Sequence, residues 1–390
     1  MTILLTGGGS GGHITPVMAV AEEIKKVDSS IKIVYIGQKG DRFARIVKDS
    51  EFIDKVFLIS AGKFRRFHGE GIKQIFNLID ILKNTRDFFY VLIGIIESFF
   101  LIKKLKPNVL FSRGGYVSVP VALGAKLNHV PYITHDSDPI PSLANRIIAP
   151  WATLHAVALD KELYPYPQDK TITTGIPLNK HFISVNEKLK NTYRAKIKIP
   201  DKAQLVFVVG GGLGAQRLNE AIIKIAPDIL DRFKDLYICH VAGEVNFQDV
   251  KKQYQHKLNE DCLRRVQVFG YINDIYKYSG AADVIVSRAG ATNLSEFALQ
   301  AKPCVIIPSP YLTGGHQIKN ADYLSKKNAA IVIQESELDN LKNVLEDLLN
   351  NKPKQLKLSN NINELAVKDA TKKISAIIVG LANNEKAIQS

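Results

Sequence analysis

Cysteine is scarce in this chain, acidic residues are outnumbered, and long apolar runs are missing. The three cysteines, Cys239, Cys262 and Cys304, are odd in number, far apart and not in CxxC spacing. That argues against a disulfide framework or a zinc site and fits a reducing cytosol. The longest apolar stretch, Phe88 to Ile102, falls short of the ~20 residues a spanning helix needs, and it contains Gly94 and Glu97. No secretory leader is read at the N-terminus, where the apolar run is short and ends in glycine. Against 52 Lys and Arg stand 38 Asp and Glu, a formal net charge of +14. Such an imbalance suits an anionic partner: a nucleotide, a phosphorylated lipid or an acidic membrane. The basic residues are spread over both halves without an RRM, KH or zinc-finger signature, so nucleic acid is not expected.

What is present is a globular composition, 46% apolar and 23% charged over 390 residues, enough for two domains. Strand-like runs (Ile31–Ile36, Val109–Ser112, Tyr132–His135, then Leu205–Val209, Leu236–Val241, Val284–Ser287 and Cys304–Ile307) alternate with helix-length segments. Alternation predicts βαβ units and doubly wound parallel sheets. The pattern restarts midway, where Leu205–Val209 runs into Gly210–Ala215 just as the N-terminal strand runs into Gly7–Gly12. The expectation is two Rossmann-like α/β domains facing across a cleft, 1–176 and 177–360. Gly175-Ile176-Pro177 and the Lys-rich stretch to Pro200 read as the linker, and Asn361–Ala382 as one amphipathic helix.

Chemistry concentrates at strand ends. In GGGSGGHITP (residues 7–16) glycines let backbone N–H groups approach an anionic ligand, and a helix is expected to start with Thr15 as N-cap and Pro16 at its first position. His13 adds a titratable group at the mouth of that turn. In Ser287–Glu296 a strand ends, Gly290 permits a tight turn, and Glu296 sits early in the next helix, where a carboxylate can accept hydrogen bonds from both hydroxyls of a ribose. His316-Gln317 offers a further polar pair. The run Phe88–Ile102 is read as a helix buried under the first sheet. The stripe Ile72, Ile75, Phe76, Ile79, Leu82, with Lys63, Arg65, Arg66 and Lys73 nearby, suits membrane docking and core packing equally.

Taken in order, GGGSGGHITP, Gly114–Ser118, His135-Asp136, Gly210–Ala215 with Asn219, Arg288–Glu296 and His316-Gln317 resemble the MurG family. These are transferases that convert lipid I to lipid II in peptidoglycan synthesis. The resemblance covers nearly the whole chain and implies a GT-B fold, with acceptor binding in the N-domain, UDP-GlcNAc in the C-domain, and 361–390 crossing back to the N-domain. It implies substrate-binding roles for Ser10, Gly11, Gly12, Asp138, Asn179, Gly212, Ile272, Arg288, Ala291, Thr292, Asn293, Leu294, Ser295, Glu296 and Gln317. It implies no cofactor or metal, and a peripheral place on the anionic cytoplasmic face of the cell membrane.

Several positions depart from the family pattern. HEQN reads His135-Asp136-Ser137-Asp138, so an amide becomes a carboxylate. GGSQGA reads Gly210–Ala215 without its serine, an expected arginine is Asn179, and the GAxT threonine is Asn293. The expected reaction is an inverting single displacement: His13 takes the proton of the C4 hydroxyl of the acceptor's N-acetylmuramic acid as that oxygen attacks the anomeric carbon of UDP-GlcNAc. Asp138 is the rival base. Three other readings share these features: a UDP-sugar transferase acting on another lipid, a UDP-sugar epimerase, and a non-catalytic nucleotide-sugar scaffold.

Overall fold

Strands such as Thr2–Thr6 are apolar on both faces, which suits the interior of a parallel sheet covered by helices on each side. The computed structural model describes residues 1–8, 11–41, 44–64, 78–211 and 215–383. One unit comprises Met1–Lys180 with the chain from Val367 onward, and the other His181–Ala366. The first carries β1 (Thr2–Thr6), β2 (Lys32–Gln38), β3 (Lys55–Ile59), β4 (Val109–Ser112), β5 (Tyr132–Asp136), β6 (Leu154–Val157) and β7 (Thr171–Thr173). The second carries β8 (Gln204–Val209), β9 (Leu236–Val241), β10 (Val266–Phe269), β11 (Val284–Ser287), β12 (Cys304–Ile306) and β13 (Ile331–Val332). All strand pairs are parallel, in the orders 3-2-1-4-5-6-7 and 10-9-8-11-12-13. The doubly wound α/β expectation holds in both units.

Strand alternation sorts the side chains of the first sheet. Ile3, Leu5, Ile33, Tyr35, Val109 and Phe111 share one core with Ile374 and Ile378 of the helix Ala370–Ala382, while Leu4, Val34, Ile36 and Leu110 form the other. In each sheet the order reverses once, between β1 and β4 and between β8 and β11. The loops leaving such neighbours diverge and leave a crevice at the carboxyl ends of the strands. Those loops contain Gly7, Gly8 and Arg113–Gly115 in the first unit, and Gly210, Gly211 and Arg288–Gly290 in the second.

Four local expectations change. The first helix spans Gly11–Val27, with Pro16 inside it. Proline removes one N–H and crowds the carbonyl four residues back; here that residue is Gly12, in the first turn, where the disturbance is least. The Lys-rich stretch before Pro200 contains the helix Glu187–Lys196, whose Arg194 is buried against Asp283 at 2.6 Å. The tail forms two helices, Lys352–Glu364 and Ala370–Ala382, broken where the chain passes from one unit to the other.

The fourth change is the largest. The helix Leu78–Leu105 turns its small and polar residues inward and many of its large apolar ones outward. Asp87, Gly94, Ser98 and Ile102 are buried, whereas Leu82, Phe89, Ile96 and Phe100 are 68, 58, 59 and 63% exposed. Close approach decides this: a Cβ on Gly94 would lie 2.0 Å from the Ser60 carbonyl oxygen, and one on Gly124 would lie 2.8 Å from Ser98 Cβ. A helix apolar all round is oriented by whichever seam lets backbones approach, and bulky side chains cannot enter this one. Residues 72–77 of the neighbouring stripe, with Arg65, Arg66 and Lys73, lie outside the described residues. Among the described residues, no helix is long and apolar enough to cross a membrane.

Candidate active site

The first crevice is built from backbone. Gly115 has φ +85°, and a Cβ there would meet the Gly8 carbonyl oxygen at 2.7 Å, so only glycine lets the β4 turn close over the β1 turn. Gly7 is pinned through its carbonyl by the Tyr35 hydroxyl. His13 follows in the first turn of its helix, with Nδ1 3.1 Å from the Arg113 carbonyl oxygen. A carbonyl only accepts, so Nδ1 carries the hydrogen and Nε2 keeps its lone pair. Burial, reinforced by the Arg113 guanidinium, pushes the His13 pKa down to about 4; the Arg113 carbonyl and Asp138 act in the opposite sense. The imidazole is therefore neutral at physiological pH.

Asp138 lies just beyond β5, partly buried, within electrostatic reach of both His13 and Arg113. His135 and Asp136 support the strand end from below. His135 is buried with Nε2 2.8 Å from the Gly175 carbonyl, and Asp136 accepts from the Tyr166 hydroxyl at 2.7 Å. Gly11 and Gly12 open the His13 helix. Asn179 is exposed near the end of the unit. Ser10 and Gly212 lie outside the described residues.

In the second unit β11 ends at Ser287, and the helix Ala291–Leu299 begins after Gly290, with open space where a Cβ would stand. Ala291, Thr292, Asn293 and Ser295 are partly exposed around the start of that helix, whose aligned N–H groups favour an anion. Glu296 is 8% exposed and its carboxyl group has no hydrogen-bond partner among the described residues. Burial pushes its pKa up to about 8. Gln317 accepts from the Ser309 N–H at 2.9 Å, in a helix that starts after two left-handed glycines, Gly314 and Gly315. Ile272 is partly buried after β10.

Two expected ligand residues face inward. The Arg288 guanidinium is committed to Glu335 at 2.5 Å and to the Ile307 carbonyl at 3.2 Å, so it braces the turn. Leu294 packs in the core with its N–H on the Gly290 carbonyl. Each supports the turn without offering a free polar group above it.

Residues 3–157 match the glycosyltransferase family 28 N-terminal domain, and residues 205–374 match the family 28 C-terminal domain. A protein of Borrelia turicatae is 33% identical over 97% of this chain and 96% of its own length. One of Flavobacterium psychrophilum is 32% identical over 98% of each. Both are named UDP-N-acetylglucosamine–N-acetylmuramyl-(pentapeptide) pyrophosphoryl-undecaprenol N-acetylglucosamine transferase. The chain belongs to the MurG family.

It is thus a glycosyltransferase with the GT-B architecture. The crystal structure of Acinetobacter baumannii MurG matches it with a TM-score of 0.70 at 23% identity, covering 97% of this chain and 99% of that one. A UDP-GlcNAc 2-epimerase of Neisseria meningitidis, bound to UDP-GlcNAc, reaches 0.67 at 14% identity over 97% and 100%. At such identities these likenesses speak for the fold. Sequence reasoning missed one functional candidate of this MurG-family chain, Arg113. Its signal was an arginine directly after the buried strand Val109–Ser112 and before Gly114-Gly115, where a charge must be accounted for.

Proposed function

We propose that this chain transfers N-acetylglucosamine from UDP-GlcNAc to the C4 hydroxyl of N-acetylmuramic acid in lipid I, with inversion, giving lipid II on the cytoplasmic face of the membrane. The first unit takes the polyprenyl-diphosphate acceptor and the second takes the UDP-sugar. The observation that carries the donor half is Glu296: a buried, unpartnered carboxyl beside an open helix start is suited to the vicinal hydroxyls of a ribose whose diphosphate rests on the helix N-terminus. Thr292, Asn293 and Ser295 lie on the first turns of the same helix, and in this reading Gln317 serves the sugar and Ile272 the base.

His13 is the base. Its Nε2 accepts the acceptor's hydroxyl proton, the acceptor oxygen bonds to the anomeric carbon, and the bond from that carbon to the β-phosphate oxygen breaks with its electron pair leaving on UDP. A conjugate acid near pH 4 is a weak acceptor in the empty protein. Two bound diphosphates add negative charge nearby and raise it toward working pH. Backbone amides at the glycine turns and helix starts stabilise the departing charge.

Docking is proposed through the outward face of the helix Leu78–Leu105. In its support, Leu82, Phe89, Ile96 and Phe100 follow helical spacing and are exposed, and the exposed Lys103 and Lys104 lie at its end. The deciding experiment incubates the protein with labelled UDP-GlcNAc and a short-chain lipid I analogue. Disaccharide product is expected, and His13→Ala is expected to lose ~10²–10⁴-fold in turnover with UDP binding retained. UDP-GlcNAc turnover without acceptor, transfer only to another lipid, or UDP binding with no transfer would each replace this reading.

A further inference from the structure

The second unit buries an acid, Glu335, that holds two arginines the transfer mechanism does not use. Glu335 follows β13, and its side chain is 3% exposed. Arg288 pairs with Oε2 at 2.5 Å from the turn after β11. Arg217 pairs with Oε1 at 3.0 Å from the first turn of the helix Gln216–Arg232, which follows β8. The Arg217 side chain is 56% exposed, and its guanidinium lies 5.1 Å from the centroid of the Tyr311 ring. Tyr311 belongs to the loop after β12, ahead of the helix that carries Gln317. One carboxylate thus gathers charge from the carboxyl ends of three strands.

The charges within this cluster do not balance. Two guanidiniums share one carboxylate, so one positive charge is left over. The other charges nearby are exposed or already paired: Lys224 with Asp339 at 2.7 Å, Lys342 with Asp228 at 2.5 Å, and Glu220 with the Gln216 amide at 2.9 Å. Salt screens exposed charges, whereas buried ones are screened much less. With neighbouring strands ~4.8 Å apart, the cluster lies within roughly 10 Å of the switch point between β8 and β11. At that range each pair of charges changes affinity by about a few-fold, and a diphosphate carries more than one.

We propose that Arg217 is a positioning residue for the donor: by taking one oxygen of Glu335 it leaves the Arg288 charge uncancelled beneath the β11 turn, which favours a nucleoside diphosphate there over the uncharged nucleoside. Arg217 does this without touching the ligand. The inference rests on the second unit as the UDP-sugar site. Arg288 could not play this part alone, because with Arg217 gone it and Glu335 neutralise each other. With Glu335 gone as well, the Arg288 charge is free again.

The test measures UDP and uridine binding by calorimetry, at one pH and about 50 mM salt, for wild type, Arg217→Met, Arg217→Lys, Glu335→Gln and Arg217→Met/Glu335→Gln. Arg217→Met is expected to bind UDP about 5–20-fold more weakly and uridine as wild type does. That loss is expected to shrink below about threefold in about 1 M salt. Arg217→Lys keeps the charge and is expected to stay within about threefold of wild type. Glu335→Gln is expected to bind UDP no more weakly than wild type, and the double variant to return to within about threefold of it. Unchanged UDP binding in Arg217→Met overturns the proposal. So does an equal loss for uridine, which is the mark of a merely structural arginine. A loss that persists in the double variant overturns it too, since direct contact with the phosphates would behave that way. Should the Glu335→Gln variants fail to fold, Arg217→Met/Glu335→Met, with both ends of the pair apolar, makes the same comparison. A wild type that binds no UDP overturns the donor-site reading instead.

Discussion

Glu296 makes donor binding a protonation event. Its carboxyl is 8% exposed and its pKa is raised to about 8 by burial, so at pH 7 roughly nine in ten ligand-free molecules carry a proton there. A carboxylate that accepts hydrogen bonds from two ribose hydroxyls binds best ionised. UDP binding at pH 7 should therefore release up to about 0.9 proton from this group, and affinity should rise about tenfold per pH unit from the pKa of the complex up to about 8. Between pH 6 and pH 8 the gain approaches about 50-fold, because half the groups are still protonated at pH 8. Calorimetry in two buffers of different ionisation enthalpy counts the protons, with Glu296→Gln as the blank for protons from UDP itself. Equal proton release in wild type and Glu296→Gln, or a flat affinity from pH 6 to 8, would refute the assignment. The same shift has a stability consequence of opposite sense. A carboxyl whose folded pKa is raised loses stability as pH climbs above its unfolded value, by up to about 3 kcal/mol at pH 7. Glu296→Gln should thus raise Tm at pH 7–8 while it abolishes tight UDP binding, a trade common where a site is kept poised for a ligand.

Other expectations follow from buried contacts. Asp283, 6% exposed, pairs with Arg194 at 2.6 Å and Lys190 at 2.8 Å; burial works to raise its pKa, but these two cations hold it below the usual carboxylate range. Its contribution is present above the unfolded pKa and lost as pH falls through the folded one, so urea unfolding should show stability falling below about pH 4. Asp283→Asn should cost about 3–5 kcal/mol at pH 7 by the same assay, because it strands two cations. Gly115→Ala puts a Cβ 2.7 Å from the Gly8 carbonyl oxygen at a φ of +85°. It should lower stability by about 1–3 kcal/mol in thermal melts. A Phe89→Glu/Ile96→Glu double variant should reduce sedimentation with anionic vesicles at least about tenfold while its melt stays within a few degrees of wild type, since both side chains already face outward.

The sequence made the two sheets legible because their strands are continuous apolar runs bounded by glycine, and Val109–Ser112, Leu236–Val241 and Val284–Ser287 agree with the strands residue for residue. Pro16 misled because its commonest helical place is the first position, whereas a flanking run of glycines tolerates it a turn later. Phe88–Ile102 misled for a deeper reason. Hydrophobicity says how much of a helix avoids water, and close packing decides which face does so. In a helix apolar on every side the inner seam belongs to Gly94 and Ser98, which admit neighbouring backbone, and the phenylalanines are left outside.

Arg113 was hidden for the converse reason, since nothing local marks its partner. Ser137, whose hydroxyl accepts from its guanidinium, lies 24 positions along the chain, after the next strand, and the two meet only because β4 and β5 are parallel neighbours with their ends in register. A charge at the carboxyl end of one parallel strand is therefore best read against the residues just past the ends of the strands beside it. Applied to β11, the same rule pairs Arg288 not with a ligand but with Glu335, just past the end of β13, two strands away. Arg288→Met should accordingly destabilise the second unit and weaken UDP binding together, and the loss of affinity should be regained in the double variant Arg288→Met/Glu335→Gln. An arginine that bound the diphosphate directly would show no such recovery, because removing Glu335 cannot restore a lost phosphate contact.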